Sequence, residues 1–236
     1  MSARDPSRTI SVIIRSKNEE RWIRRCLAAV TQQDCEGLEI IVVDNGSSDR
    51  TVEIAREFQC KVLDIDDRCF SYGRALNLGI GEAGGEYVAI LSAHCIPLNN
   101  RWLARLRMDF VDDSIGAVYG RQEPLPDSDV FDKRDLWTVF GLERKVQTKD
   151  FFFHNANSMI RRRLWETLPF DEELSGVEDR DWAKKVIERG YRIVYQPQAS
   201  VYHFHGIHQA QDRARAERVV RVIELINRGK PGATED

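Results

Sequence analysis

Four short stretches of this sequence gather side chains able to bind charge or move protons: Arg15-Ser16-Lys17-Asn18-Glu19, Asp44-Asn45-Gly46-Ser47-Ser48-Asp49, Ser92-Ala93-His94-Cys95 and Glu178-Asp179-Arg180-Asp181-Trp182. The first three combine cations, carboxylates and an imidazole. That set suits a nucleotide, with a guanidinium near phosphate and a carboxylate accepting a hydrogen from base or ribose. Each also has a plainer reading as loop chemistry, with Asp44-Asn45-Gly46 as a turn and Asp49 as a helix cap. The fourth stretch brings Glu178, Asp179 and Asp181 together at the expected start of a helix, where the macrodipole favours anions. These carboxylates are either helix-terminal charges or a source of a general base. Trp182 on the same turn walls a pocket or fills the core.

The elements that must position these residues follow from the apolar pattern. Runs 10–15 (ISVIIR) and 38–43 (LEIIVV) are too continuously apolar for strands with one wet face, so they read as central strands of a covered sheet. Between them, 19–32 carries Ile23, Leu27 and Val30 at helical spacing, and Ser48 or Asp49 caps a second helix presenting Val52, Ala55 and Phe58. A third strand at 60–63, a helix at 73–83, a fourth strand at 87–91 and a helix at 101–110 continue the alternation. Alternation of this kind implies a parallel sheet with right-handed crossovers. Ligands of such sheets bind beyond the carboxyl ends of the strands, and the first three polar clusters fall at three of those ends. The second half is less regular. Pro124, Pro126 and the acids Asp127, Asp129 and Asp132 interrupt the pattern, an aromatic stretch covers 136–153, and helical patterns resume at 162–168 and 177–189. A final helix is expected over 209–228, with Val219, Val220, Ile223 and Ile226 among Arg213, Arg215, Arg218 and Arg221. Docking on the domain, pairing as a homodimer and lying on a membrane surface are all open to it, and Glu217 and Glu224 dilute its positive face.

Bulk properties exclude several classes. The 236 residues, 42% of them apolar, support one domain with an ordinary core. A net charge of −3 supplies no field to hold nucleic acid. Residues 1–9 are polar, no window approaches a membrane span, and a cytoplasmic location is expected. Cys26, Cys35, Cys60, Cys69 and Cys95 form no C-x-x-C pair and read as reduced thiols. Gly79-Ile80-Gly81-Glu82-Ala83-Gly84 matches G-x-G-x-x-G but ends a helix instead of opening one, so it is a helix stop and not a dinucleotide fingerprint.

The motifs Ser11-Val12-Ile13-Ile14-Arg15-Ser16-Lys17-Asn18-Glu19, Ile41-Val42-Val43-Asp44-Asn45-Gly46-Ser47-Ser48-Asp49-Arg50-Thr51 and Gly73-Arg74-Ala75-Leu76-Asn77 resemble the nucleotide-binding half of family 2 glycosyltransferases. Glu178-Asp179-Arg180-Asp181-Trp182 resembles the acidic motif that opens the catalytic helix of that family. The likeness runs from about residue 8 to about residue 208. It implies the α/β GT-A fold, with a mostly parallel central sheet, helices on both faces and a mixed C-terminal acceptor-binding half. The single domain would comprise a nucleotide-binding half (about 8–120), an acceptor and catalytic half (about 121–208) and the helix in 209–236. The implied reaction is inverting transfer of a sugar from a nucleotide-sugar donor to a hydroxyl of a saccharide, in surface polysaccharide or glycolipid assembly. The acceptor would be free or lipid-linked, and the enzyme cytoplasmic or peripheral at the inner membrane face. The resemblance assigns Asp179 as base beside Glu178. It gives Arg15, Asp44, Arg74, Ser92 and His94 to the donor, and Asn155, Asn157, Trp182 and His205 to the acceptor.

One departure concerns the metal. The family places an acidic D-x-D after this strand to hold Mn2+ or Mg2+ against the donor pyrophosphate, and the matching positions here are Ser92-Ala93-His94. Asp64-Ile65-Asp66 and Asp127-Ser128-Asp129 also fit D-x-D but read as solvated loop acids. In one account His94 replaces the missing acid and His203 or His205 completes a site, suited to Mn2+ or softer ions better than to Mg2+. In the other, Arg15, Lys17 and Arg74 neutralise the leaving phosphate and the metal is dispensable. Alternatives are a hydrolase with a zinc site built from His94, His203, His205 and His208, and a degenerate nucleotide-sugar-binding protein without turnover. A sugar nucleotidyltransferase would want a G-x-G-x-R loop after strand one, which is absent.

Overall fold

The computed structural model describes residues 10–66, 68, 70–174 and 176–204. The expected helix within 209–236, together with His205 and His208, lies outside the described residues. In chain order the elements are β1 (Ile10–Ser16), α1 (Ile23–Thr31), β2 (Leu38–Asp44), α2 (Thr51–Arg56), β3 (Lys61–Asp64), α3 (Tyr72–Gly81), β4 (Tyr87–Ser92), β5 (Cys95–Pro97), α4 (Trp102–Arg107), β6 (Ile115–Pro124), α5 (Val130–Val139), β7 (Lys145–Gln147), β8 (Asn157–Arg161), α6 (Arg162–Thr167), α7 (Glu178–Glu188) and β9 (Arg192–His203).

The strands form one mixed sheet in the order β3-β2-β1-β4-β8-β6-β9-β5, with β7 paired to β9. From β3 through β4 all neighbours are parallel. Beyond β4 the sheet changes character: β8 runs antiparallel to β4 and β6, while β9 runs parallel to β6. The expected parallel half and mixed half therefore meet at the β4–β8 seam. That seam matters for chemistry, because the amino end of an antiparallel strand arrives where the parallel strands end. Asn157 pairs with Leu91, so the segment entering β8 passes over the carboxyl ends of β1 and β4.

Each central strand is buried on both faces, which is why its sequence is continuously apolar. Val12 and Ile14 of β1 join a cluster with Ile23 and Leu27 of α1 and Leu103 and Leu106 of α4. Ile13 faces the other way, into a cluster with Leu76 and Ile80 of α3 and Trp182 and Val186 of α7. Gly79 lets α3 close on that second face. A Cβ there would sit 2.6 Å from Ile13 Cγ2 and 2.9 Å from Val43 Cγ2, so the glycine of the false nucleotide motif serves helix-to-sheet packing.

Strands β6, β8 and β9 carry no clean apolar signature. All five residues of β8 are buried although three are polar. Asn157 accepts from Trp102 Nε1 (2.8 Å) and donates to the carbonyls of Arg121 (2.9 Å) and Ala199 (2.8 Å). Arg161 donates to Ile115 O at 2.9 Å and Asp112 O at 2.6 Å. Burial is tolerated because distant backbone satisfies these groups, which no local pattern announces. In β9, Pro197 interrupts the run near the register shift between Gly120 and Gln122 of β6.

Candidate functional site

A cavity of about 560 Å³ opens at the carboxyl ends of β1, β2 and β4, a size ordinary for small-molecule sites. Of the residues singled out from sequence, Arg15, Ser92, His94, Asn155, Glu178, Asp179 and His203 line it. Asp44, Arg74, Asn157 and Trp182 do not, and each departure has a structural reason.

The loops after β1 and β2 are stitched to each other. Asp44, buried, accepts from Ser16 Oγ (2.9 Å), Ser47 N (2.7 Å) and Ser47 Oγ (2.6 Å), so its carboxylate fixes the loop. Asn18, in the left-handed region at φ 53°, accepts from Ser48 N at 2.8 Å. Glu19 N donates to Thr51 Oγ1 (2.6 Å) and Glu20 N to Asp49 Oδ2 (3.0 Å). These bonds hold 18–20 outside the helix expected over 19–32, and α1 starts only at Ile23. Beside Asp44, Asn45 takes the place in the cavity wall; its buried Oδ1 has no hydrogen-bond partner among the described residues.

Arg74 donates from Nε to Glu172 Oε2 at 2.9 Å, outside the cavity, and Asn77 Nδ2 joins the same carboxylate at 3.0 Å. Asn157 is committed to the three backbone and indole partners named above. Trp182 is core: its Nε1 donates to Leu168 O at 2.7 Å, and its ring packs on Phe153 and Phe170 at 5.7 and 5.3 Å. Asn157 and Trp182, expected at the acceptor, and Asp44 and Arg74, expected at the donor, are thus held by these partners and stand outside the cavity lining.

What remains in the cavity is polarised. On one wall Arg15, largely buried, lies 4.9 Å over the Tyr72 ring and 3.6 Å from Glu178 Oε1. Its Nε and Nη1 have no hydrogen-bond acceptor among the described residues, an unusual state for a buried guanidinium and one that an anionic ligand would relieve. Lys17 lines the same wall, and Phe70 meets Tyr72 edge-on at 5.2 Å. Phe70 and Tyr72 carry no signal in the sequence, because an aromatic pair at the junction of a loop and the start of α3 has no periodicity of its own.

The acidic wall comes from the first turn of α7. Glu178 accepts from Gly176 N at 3.1 Å. Asp179 accepts from Arg180 N at 2.8 Å and from Asn155 N at 3.3 Å. Burial, then the neighbouring Glu178 charge, raise the Asp179 carboxyl to about 7; Arg180 and the two backbone donors pull it back only in part. A carboxyl so tuned is an effective proton acceptor at neutral pH. Asn155 Nδ2, buried in the same wall, has no hydrogen-bond partner among the described residues.

The third wall is histidine-rich. His94 lies 2.6 Å from Glu19 Oε1 through Nδ1 and stacks on His203, rings 5.1 Å apart and 9° from parallel. Cys95 follows, and its Sγ lies within 4.8 Å of a ligand nitrogen of each histidine. At the D-x-D position the chain therefore offers a strand serine, a buried alanine and an imidazole. Asp64 ends the edge strand β3 and Asp66 follows it, paired with Arg68, while Asp129 caps α5 through Phe131 N, and neither spare D-x-D lines the cavity. Two imidazoles and a thiol do not fit a hard Mn2+ or Mg2+ ion, which favours carboxylate, carbonyl and water oxygens.

The chain matches the glycosyl transferase family 2 description over residues 11–168 and belongs to that family. It is 31% identical over 196 residues to glycosyltransferase AglE of Haloferax volcanii, covering 79% of this chain and 64% of that protein. It is 28% identical over 209 residues to the O-antigen chain rhamnosyltransferase RfbN of Salmonella typhimurium, covering 84% and 67%. Mannosyltransferase PcManGT from Pyrobaculum calidifontis, solved in complex with GDP-Man and Mn2+, aligns with a TM-score of 0.75 at 24% identity, covering 97% of this chain and 67% of that one. At that identity the likeness speaks for the fold, which is GT-A. The chain spans about two thirds of the length of these proteins. Among the described residues no helix is long and apolar enough to cross a membrane.

Proposed function

We propose that the protein is an inverting glycosyltransferase that moves a sugar from a nucleotide-sugar donor to a hydroxyl of a saccharide acceptor, free or lipid-linked, in surface polysaccharide or glycolipid assembly. The observation that carries this reading is the presence, in the lining of one cavity, of a buried guanidinium with unused donors and a carboxyl raised to about 7.

The donor diphosphate is assigned to Arg15 and Lys17, and its base to the Phe70 and Tyr72 rings beside Asn45. Asp179 takes the acceptor side. In the transfer, the acceptor oxygen forms a bond to the anomeric carbon while the bond from that carbon to the donor phosphate oxygen breaks. The electron pair leaves with the nucleoside diphosphate, and the acceptor proton passes to a carboxylate oxygen of Asp179. Arg15 and Lys17 stabilise the charge that develops on the leaving phosphate. Glu178 holds Arg15 and helps raise Asp179. Asn155 positions Asp179 through its backbone N–H and offers its side-chain amide to the acceptor. No step is assigned to Mn2+ or Mg2+, because the residues at 92–94 do not suit those ions.

Support for the pathway comes from relatives such as the O-antigen chain rhamnosyltransferase. The test is a thermal-shift panel of UDP-, dTDP-, GDP- and CMP-sugars with and without EDTA, followed by a transfer assay with the donor that stabilises. One donor class should raise the melting temperature. If none does, the transferase reading is lost.

A further inference from the structure

We propose that His94, Cys95 and His203 form a binding site for a soft transition-metal ion of the zinc class, with its fourth position facing the cavity. The register of the sheet builds the site. Strand β5 pairs antiparallel with β9 so that Cys95 stands directly opposite His203, which puts the two side chains on one face of the ladder. His94, the residue before, lies with its ring parallel to that of His203 at 5.1 Å. One ligand atom from each of the three residues lies within 4.8 Å of the other two. Bonds of about 2.0–2.3 Å to zinc would bring the donors to roughly 3.5 Å apart, an adjustment within the reach of side-chain rotation.

Two further features suit a metal better than a plain ring stack. Nδ1 of His94 faces the Glu19 carboxylate at 2.6 Å, so with an ion bound Nδ1 would carry the hydrogen toward Glu19 and Nε2 would be the ligand. A carboxylate behind the histidine is the usual outer-shell arrangement for orienting a ligating imidazole. His94 and His203 both line the cavity, whereas the Cys95 thiol sits behind them in the core. Three protein donors with one side open to a cavity is the layout of a metal centre that keeps a position for an exogenous ligand, water or an anionic oxygen. His154, its ring 6.4 Å from that of His203, is not among the residues whose ligand atoms converge; its Nδ1 faces Gln122 Nε2 at 3.1 Å and accepts from Ala156 N at 3.2 Å.

The donor set chooses the ion. Imidazole and thiolate favour Zn2+ and Co2+ over Mn2+ and Mg2+, both by softness and by the order of divalent affinities. On binding, the Cys95 S–H bond is replaced by an S–metal bond and the proton leaves to solvent. The assignment does not rest on the transfer reaction, and ion binding alone tests it.

The experiment takes the full chain stripped with a chelator, titrated with Zn2+, Co2+, Mn2+ and Mg2+ in turn. One equivalent of Zn2+ should bind, at least about a hundredfold more tightly than Mn2+ or Mg2+. The Co2+ adduct should show a thiolate-to-cobalt charge-transfer band and the strong visible absorption of a tetrahedral ion. Cys95→Ser should abolish the charge-transfer band and weaken Zn2+ at least about tenfold, while Cys60→Ser keeps both. Should Cys95→Ser fail to fold, His203→Gln serves instead, with the expected loss of tetrahedral absorption. Wild-type protein that takes up no Zn2+, prefers Mn2+, or gives a cobalt band insensitive to Cys95→Ser or His203→Gln would overturn the proposal. Donor thermal shifts on the metal-free protein report separately on the transferase reading.

Discussion

At Asp179 two demands meet in one side chain. The carboxyl must be deprotonated to take a proton, yet burial and the Glu178 charge oppose deprotonation and raise it to about 7. Transfer should therefore fall as pH drops through about 7, and a pH–rate profile of kcat/KM in the presence of the identified donor checks this. The linkage sign is equally definite. A carboxyl raised in the folded state stabilises the protein at low pH and loses that contribution as pH rises toward about 7. Asp179→Asn should thus raise the melting temperature by a few degrees at pH 8 and leave it nearly unchanged at pH 4, while lowering kcat roughly 10²–10⁴-fold and preserving donor affinity. Transfer near the wild-type rate in that variant would remove Asp179 from the role of base. Arg15, beside Glu178, is the proposed phosphate partner. Arg15→Gln removes charge-assisted hydrogen bonds of about 1.5–3 kcal/mol, roughly a ten- to hundredfold loss in donor affinity, measurable by calorimetric titration.

At the scale of elements, the polar residues that looked chemical divide into those that touch a ligand space and those that hold the walls. Asn157 belongs to the second group. Asn157→Ala would strand the Trp102 indole and two carbonyls, at a cost of about 1–3 kcal/mol for each group left without a partner, with KM for donor unchanged; denaturant unfolding and steady-state kinetics separate the two effects. Gly79 is a similar case. Gly79→Ala forces a methyl against Ile13 and Val43, and overpacking of that kind destabilises by about 1–3 kcal/mol, again read by denaturant unfolding. Strand β3 shows the other solution to an edge: it is only four residues long and carries Lys61 and Asp64 exposed, which discourages pairing with another sheet. The central parallel strands β1, β2 and β4 were legible because double-sided burial demands unbroken apolar runs, and β3 followed from the alternation of strand and helix. Strands β6, β8 and β9 were not, because Asn157, Arg161 and Pro197 are accommodated by partners far away in sequence.

For the whole molecule, the GT-A sheet brings the Arg15 guanidinium and the Glu178–Asp179 carboxyls to the lining of one cavity, and a net charge of −3 is the average over that polarised site. A donor present at about a hundred times its Kd should stabilise the fold by about 2.7 kcal/mol, so the melting temperature becomes the simplest readout of specificity among nucleotide sugars. By itself the sequence determined the parallel half of the fold, the family, and the placing of Arg15, Glu178 and Asp179 in motifs at strand and helix ends. Those are local facts: strand burial, loop position and helix start are written in neighbouring residues. Tertiary structure alone decided that Asp44 faces its own loop, that Arg74 turns to Glu172 and that Trp182 is core. It also decided that Cys95, in sequence an isolated thiol, stands beside two imidazoles. Each of these depends on a partner from 14 to over 100 residues away or on a side-chain direction, and spacing along the chain encodes neither.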